Sequence, residues 1–237
     1  MTAYSEAQLA ATIDHAVLKP ELTRADVDAE LGVAAEWGVF SVCVRPSDIA
    51  HAVRRLDGAG VEVGTVIGFP HGTTSTAAKV AEARRALEDG AVELDMVVNV
   101  GWLRSGFDDA VTDDIRAVVD AAGGRIVKVI LETSYLDDEQ IVRGSRLVER
   151  AGASFVKTST GFGGGATVAH VALMRASVGP AVQVKASGGV RGLRTALQML
   201  EAGATRLGTS ASATILGELR EIAAGGAASG AVDARSY

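Results

Sequence analysis

Cysteine is almost missing from this chain: Cys43 is the only one in 237 residues. That excludes an intramolecular disulfide framework and any cysteine-rich zinc module. No apolar run approaches the roughly 18 residues of a membrane-spanning helix. Residues 1–19 carry Glu6 and Asp14 where a secretory leader has its basic start. A soluble, cytoplasmic protein with no membrane contact is the expectation. Basic residues are outnumbered, 23 Lys and Arg against 29 Asp and Glu for a net charge of -6, which argues against non-specific attachment to nucleic acid. The 4 histidines lie apart from one another with no acidic pair at ligand spacing, so neither a metal nor another cofactor is expected. A GxSxG nucleophile elbow is absent as well. What is present excludes two further classes. A hydrophobic fraction of 48% is too high for a disordered chain, and 28 glycines without a triplet period are not collagen.

Short β-branched runs alternate with longer stretches rich in Ala, Leu, Arg and Glu. The runs at 12–15, 39–44, 61–67, 92–98, 126–131, 154–157, 182–186 and 205–208 read as strands. Helical patterns occupy 75–89, 107–122, 137–151, 167–177, 192–202 and 210–223. In 75–89, Val80, Ala83 and Leu87 share one side while Glu82, Arg85 and Asp89 face the other. Gly60, Gly90, Gly123, Gly152 and Gly203 fall just past helical stretches, where a left-handed cap is common. Strands separated by such crossovers pair in parallel. A doubly wound sheet is the rival, but eight units in 237 residues fit a closed barrel better. The predicted architecture is a single α/β domain over 1–237, a (β/α)8 TIM barrel with a short N-terminal helix and a flexible C-terminal tail at 225–237.

Only five of the 23 basic residues are lysines: Lys19, Lys79, Lys128, Lys157 and Lys185. Arginine serves this chain for general surface charge, yet Lys128, Lys157 and Lys185 fall in or at the ends of predicted strands. One such lysine could snorkel or pair with a carboxylate at the rim. Three together point to chemistry that arginine, which stays protonated, cannot perform. Residues 150–200 hold no Asp or Glu but six basic residues, Arg150, Lys157, Arg175, Lys185, Arg191 and Arg194. That local positive field suits an anionic substrate, although Arg175 and Arg194 by themselves read as an outer helix face.

Glycine-bearing turns follow predicted strands at TGFGGG (160–165), SGG (187–189) and GTS (208–210). Backbone amides around Gly188, Gly189, Gly208 and Ser210, ahead of a helix N-terminus, suit a phosphate, which in such barrels sits at the loops after strands seven and eight. Residues 163–165 read as ordinary turn glycines. The GxGxxA pattern at 161–166 imitates a dinucleotide fingerprint, but no acid appears before Glu201 to hold a ribose.

Asp95 sits in ELDMVVN (93–99), an otherwise largely hydrophobic strand. A buried carboxylate is costly unless paired, and ammonium groups around it would stabilise it. Lys157 and Lys185, at the ends of neighbouring strands, would repel each other and leave one a neutral amine. Such an amine attacks carbonyls. With a carboxylate to move protons and an anion cradle, it implies Schiff-base chemistry on a phosphorylated aldehyde or ketone, with carbon–carbon cleavage or formation through an enamine. Cys43, inside an apolar strand, reads as a buried core thiol.

The segments IDHAVLKP (13–20), VCV (42–44), GFPHG (68–72), ELDMVVN (93–99), KVILET (128–133), FVKTSTG (155–161) and VKASGGVR (184–191) stand in this order. They resemble the deoxyribose-phosphate aldolase family, class I aldolases on a (β/α)8 barrel, along nearly the whole chain. The resemblance implies reversible cleavage of 2-deoxy-D-ribose 5-phosphate to D-glyceraldehyde 3-phosphate and acetaldehyde, in deoxyribose phosphate catabolism, by a homodimer or homotetramer. It implies that Lys157 forms the Schiff base, that Lys185 depresses its pKa, that Asp95 donates and accepts protons with support from Lys128, and that Tyr237 takes part in proton transfer. Asp14 would contact a substrate hydroxyl, and Thr160, Gly161, Gly188, Gly189, Gly208 and Ser210 would line the phosphate site. Phe162 departs from the pattern, standing where certain members carry a phosphate-binding lysine, and Ala16 stands where threonine is common. The rival readings are another phosphosugar lyase or isomerase without a covalent step, and a non-catalytic phosphosugar-binding protein.

Overall fold

Parallel strands close on themselves in chain order, β1 to β8, in the computed structural model, which describes residues 4–225. They are β1 (Ile13–Val17), β2 (Ser41–Val44), β3 (Glu62–Ile67), β4 (Glu93–Val97), β5 (Ile126–Ile130), β6 (Phe155–Lys157), β7 (Gln183–Ser187) and β8 (Arg206–Thr209). The ring is completed by β8 against β1, with Ile13 opposite Leu207 and His15 opposite Thr209. Each predicted strand is realised with its ends within two residues of the expectation, and closure disposes of the doubly wound alternative.

The helices are α1 (Glu6–Ala10), α2 (Arg24–Trp37), α3 (Ile49–Arg55), α4 (Thr76–Glu88), α5 (Val100–Arg104), α6 (Asp108–Ala121), α7 (Asp138–Arg150), α8 (Val168–Ser177), α9 (Leu193–Glu201) and α10 (Ser212–Ala223). Three of them, α2, α3 and α5, lie outside the predicted helical patterns. The start of α2 has a signal in the sequence: the Thr23 hydroxyl accepts from Asp26 N, and the Asp26 carboxylate accepts from Thr23 N. With seven and five residues, α3 and α5 are too short for a period to show. Gly60 does not cap a helix, since α3 ends at Arg55.

Helix α4 is rotated from its expected setting. Lys79, Ala83 and Ala86 are its buried residues, while Val80 and Leu87 are only partly covered. The rotation has a polar cause: Lys79 Nζ donates to Asp114 Oδ2 of α6 at 2.6 Å and to Val97 O at 3.0 Å.

Side chains alternate across each strand. One set, including Leu94 and Met96 of β4, Val127 and Val129 of β5, and Val184 and Ala186 of β7, joins the apolar layer beneath the helices. The other set points into the barrel, where branched aliphatic residues are usual. Here much of that set is charged. No helix among the described residues is long and apolar enough to cross a membrane. Apart from Gly225, the expected tail lies outside the described residues, and Tyr237 with it.

Candidate active site

Seven charged side chains meet inside the barrel among the described residues: Asp14 of β1, Glu93 and Asp95 of β4, Lys128 of β5, Lys157 of β6, Lys185 of β7 and Arg206 of β8, all buried. Strand register brings them together. Asp95 is opposite Lys128, Lys157 opposite Lys185, and Lys185 opposite Arg206. Asp95 is the hub. Its Oδ1 lies 2.9 Å from Lys128 Nζ, and its Oδ2 lies 2.7 Å from the Nζ of both Lys157 and Lys185. Lys185 Nζ is also 2.5 Å from Asp14 Oδ2, and Lys128 Nζ is 2.5 Å from Glu93 Oε2 and 3.5 Å from Asp14 Oδ2. Arg206 donates from Nε to Asp14 Oδ1 at 2.8 Å and from Nη2 to Glu93 Oε2 at 3.0 Å, with its guanidinium 3.7 Å from the Phe40 ring centroid.

The count of charges decides which amine gives up its proton. Within the bonded cluster three carboxylates face four basic groups. The further buried acid whose field reaches Lys157, Glu132, has its own carboxyl raised by burial. Full ionisation of the cluster would therefore leave a cation without a bonded counter-charge in a dry interior. Lys128 touches three carboxylates, and Lys185 and Arg206 two each. Lys157 touches one, Asp95, and shares that oxygen with Lys185. Burial accordingly holds the Lys157 amine below the usual lysine range, with Asp95 opposing and Lys185 adding to the depression. The expected repulsion from Lys185 is present, but desolvation is the larger cause. Burial would also lower Lys185, yet Asp14 and Asp95 overcome it and hold that amine above its ordinary value. For Asp95, burial would raise the carboxyl, but Lys128, Lys157 and Lys185 outweigh it and hold it well below the carboxylate range. Asp95 is therefore ionised at rest.

Above this cluster the loops form a cradle. A 470 Å³ cavity is lined by Lys19, Gly188, Gly189, Arg191, Gly208, Ser210 and their neighbours. A tight well below it is lined by Asp14, Cys43, Lys157, Thr160 and Lys185, again with Gly188 and Gly208. Those two glycines thus join the cradle to the amine. A Cβ on Gly208 would lie 2.7 Å from Ser187 Cβ and 3.2 Å from Lys185 Cε, and one on Gly188 would lie 2.7 Å from Gly164 O, where φ is +84°. Thr209 Oγ1 donates to Val190 O and accepts from Ala211 N, tying the loops after β7 and β8 together. The N-terminus of α9 is occupied by Glu218, which accepts from Leu193 N at 2.7 Å. That leaves the first turn of α10, beside Ser210, facing the cradle.

Several sequence expectations change here. Cys43 is buried as expected, but it lines the Lys157 well, and burial pushes its thiol up to about 11. Thr160 also lines the well, yet its polar atoms are already engaged. Its hydroxyl donates to Glu132 and accepts from Phe162 N, and its amide points to the Glu132 carboxylate at 3.3 Å. Thr160 therefore shapes the loop and has no donor left for phosphate. Gly161 lines a separate 210 Å³ cavity with Phe162 and the glycines 163–165, joined to the cradle through Gly189 and Arg191. Those three glycines are more than ordinary turn residues, since a Cβ on Gly164 would lie 2.6 Å from Ser134 Cβ and one on Gly165 3.0 Å from Gly188 O. The positive field divides. Arg175 donates to the carbonyls of Val178, Gly179 and Val182, and Arg150 bonds Thr112, both on the outer ring.

Sequence reasoning missed Glu93, Arg206 and Glu132. The first had a signal, since it stands two positions before Asp95 and so faces the same way. Arg206, an arginine within a predicted strand, had a fainter one. Glu132 had none, because its left-handed φ of 55° belongs to the folded turn. A 570 Å³ groove lined by Asp108, Asp138, Glu139, Arg143 and Arg146 lies on the outer helices, among none of these groups.

A closed parallel barrel whose interior holds three buried lysines around one aspartate, beneath a glycine-lined cradle, is an arrangement suited to imine chemistry on an anionic carbonyl compound. The model of the DeoC/LacD family aldolases matches residues 8–231. The deoxyribose-phosphate aldolase of Streptococcus pneumoniae is 51% identical over 211 residues, covering 88% of this chain and 96% of that one. Deoxyribose-phosphate aldolase 2 of Staphylococcus aureus is 53% identical over 205 residues, covering 86% and 93%. Among solved structures, a putative deoxyribose-phosphate aldolase from Coccidioides immitis superposes with a TM-score of 0.89 at 46% identity, covering 93% of this chain and 88% of that one. The tetrameric deoxyribose phosphate aldolase from Aeropyrum pernix gives 0.85 at 33% identity, covering 92% and 93%. The chain belongs to the DeoC/LacD aldolase family, in its deoxyribose-phosphate aldolase group, and is a lyase.

Proposed function

We propose that this chain reversibly cleaves 2-deoxy-D-ribose 5-phosphate to D-glyceraldehyde 3-phosphate and acetaldehyde, with Lys157 as the Schiff-base residue. The observation behind this reading is that Lys157 is the least compensated of the four cations inside the barrel and lines the well that opens on the cradle. The substrate phosphate rests on the amides around Gly188, Gly189, Gly208 and Ser210, with Arg191 as counter-charge. From there the open-chain aldehyde reaches down to Lys157.

The Lys157 lone pair adds to C1, and the former carbonyl oxygen takes a proton from Lys185, which shares Asp95 Oδ2 with Lys157. Loss of water gives the iminium. Asp95 then accepts the C3 hydroxyl proton as the C2–C3 bond breaks. The electron pair of that bond flows to the iminium nitrogen, leaving an enamine and releasing glyceraldehyde 3-phosphate. Asp95 passes that proton to C2, and addition of water to the resulting iminium frees acetaldehyde, the proton left on the departing amine returning to Lys185. Asp14 and Lys128 hold the substrate hydroxyls and keep Asp95 oriented.

Similarity to the tetrameric Aeropyrum pernix protein supports a homo-oligomer. The barrel spans most of the chain as one catalytic domain, and a cytoplasmic role in deoxyribose phosphate breakdown fits the group to which it belongs. Borohydride reduction in the presence of acetaldehyde tests the covalent step. Peptide mapping is expected to place an ethyl group on Lys157. Turnover with that amine left unmodified would overturn the reading in favour of a non-covalent acid–base lyase.

A further inference from the structure

We infer that Glu93 and Arg206 are positioning residues for the nucleophile: a second ionic layer beneath the substrate well that fixes the net charge of the barrel interior and so the protonation of Lys157. The inference rests on Lys157 being the Schiff-base amine. Glu93 and Arg206 are the first residues of β4 and β8, and neither lines the well. Each is linked to Lys157 through a carboxylate–ammonium chain. One path runs Arg206–Asp14–Lys185–Asp95–Lys157, the other Arg206–Glu93–Lys128–Asp95–Lys157.

The groups facing Lys157 from the other elements are few enough to enumerate. Asp14 comes from β1, the un-ionised Cys43 from β2, Asp95 from β4, Lys128 from β5 and Lys185 from β7. The one acid of β3, Glu62, is exposed. Beyond the end of β5, the buried Glu132 is bonded to Thr160, and its carboxyl, raised by burial, is a further acid whose field reaches Lys157. Below them all sits Arg206, stacked on Phe40 and bonded to Asp14 and Glu93.

A plug at this depth could be apolar, since well-packed hydrophobic side chains replace buried ion pairs at no loss of stability. The ionic plug has a property that an apolar one lacks. Arg206 supplies the fourth positive charge against three carboxylates, and that excess makes one neutral amine the favourable state of the cluster. Without Arg206, three cations balance three anions and Lys157 keeps its proton. Without Glu93, the excess doubles and Lys157 loses its proton more readily. At an effective dielectric near 20, a unit charge about 10 Å away moves a pKa by roughly one unit.

The experiment measures the pH dependence of borohydride trapping by acetaldehyde in the full-length protein, with circular dichroism to verify folding. Attack requires the neutral amine, so the trapping rate rises through the Lys157 pKa. Arg206→Met is expected to move that midpoint about one pH unit alkaline, a roughly tenfold loss of rate on the acid limb, and Glu93→Gln to move it acid by a similar amount. The Glu93→Gln/Arg206→Met double variant returns to the wild-type midpoint, and Arg206→Lys keeps it. Folded single variants with unmoved midpoints, or both moved the same way, would overturn the inference. Should Arg206→Met not fold, the sign of the Glu93→Gln shift decides alone. Absence of label on Lys157 in the wild type would instead defeat the Schiff-base reading, and so separates the two failures.

Discussion

An amine that must be uncharged to react is a poor choice for the stability of the fold that buries it. Lys157 has its folded-state pKa below the unfolded value of about 10.4, so its burial costs stability at all pH values below the folded one, and the cost vanishes above the unfolded one. Lys157→Met keeps most of the volume and leaves Asp95 paired with Lys128 and Lys185. The variant should lose turnover by several orders of magnitude while gaining about 1–2 kcal/mol at neutral pH. Urea unfolding at about pH 7 and again near pH 10 checks the sign, because the gain should shrink at the higher value. No gain at neutral pH would mean that the amine is better compensated than its single carboxylate contact indicates. At this scale the sequence was legible where chemistry and position disagreed. A lysine in a strand of an arginine-rich chain stands out, and so does an aspartate among Leu94, Met96 and Val97. Glu93 and Arg206 were less legible, because a charge at the start of a strand is ordinary until a partner is seen across the barrel.

At the level of elements, strands announced themselves and short helices did not. Most of the β-branched runs had turn residues at one or both ends, so their limits followed from composition. The seven residues of α3 and five of α5 offer no such period. The glycine turns after β7 and β8 do line the cavity above the cluster, but which amides remain free is a matter of tertiary contacts, as Thr160 shows. Phe162 does not face the cradle as a substitute donor. Its ring meets Phe69 edge-on with centroids 5.4 Å apart. Arg191 lines both the cradle and the cavity beside Gly161, and in the proposed function it takes the charge role that Phe162 cannot fill. Arg191→Ala is therefore expected to raise KM for 2-deoxyribose 5-phosphate about tenfold or more, roughly the worth of one charge-assisted contact. Turnover of unphosphorylated 2-deoxyribose should change little. Equal losses on both sugars would place Arg191 in the architecture of the loop rather than at the phosphate.

The molecule as a whole divides its tasks between two concentric layers. Between strands and helices lies the apolar shell that supplies most of the driving force for folding. Inside the strands, where comparable barrels pack aliphatic side chains, an ionic cluster fills the space and stakes part of the stability on pH. Burial would raise the Asp14 carboxyl, but Lys185, Lys128 and Arg206 hold it far below its ordinary value, as their counterparts hold Asp95. Groups with depressed folded-state pKa values contribute in full above the unfolded value of about 3.9, and their contribution is lost as pH falls toward the folded one. Protonation of both would also leave the Lys185 ammonium buried without a carboxylate partner and Lys128 with Glu93 alone. Unfolding free energy measured in urea should therefore drop steeply from about pH 5 to about pH 3, with a slope near 1.4 kcal/mol per pH unit for each extra proton bound by the unfolded chain. Asp14→Asn removes one of these carboxylates. It should begin less stable at neutral pH and fall along a shallower slope. A slope identical to wild type would show that acid unfolding is governed by surface carboxylates instead of by the buried ionic cluster.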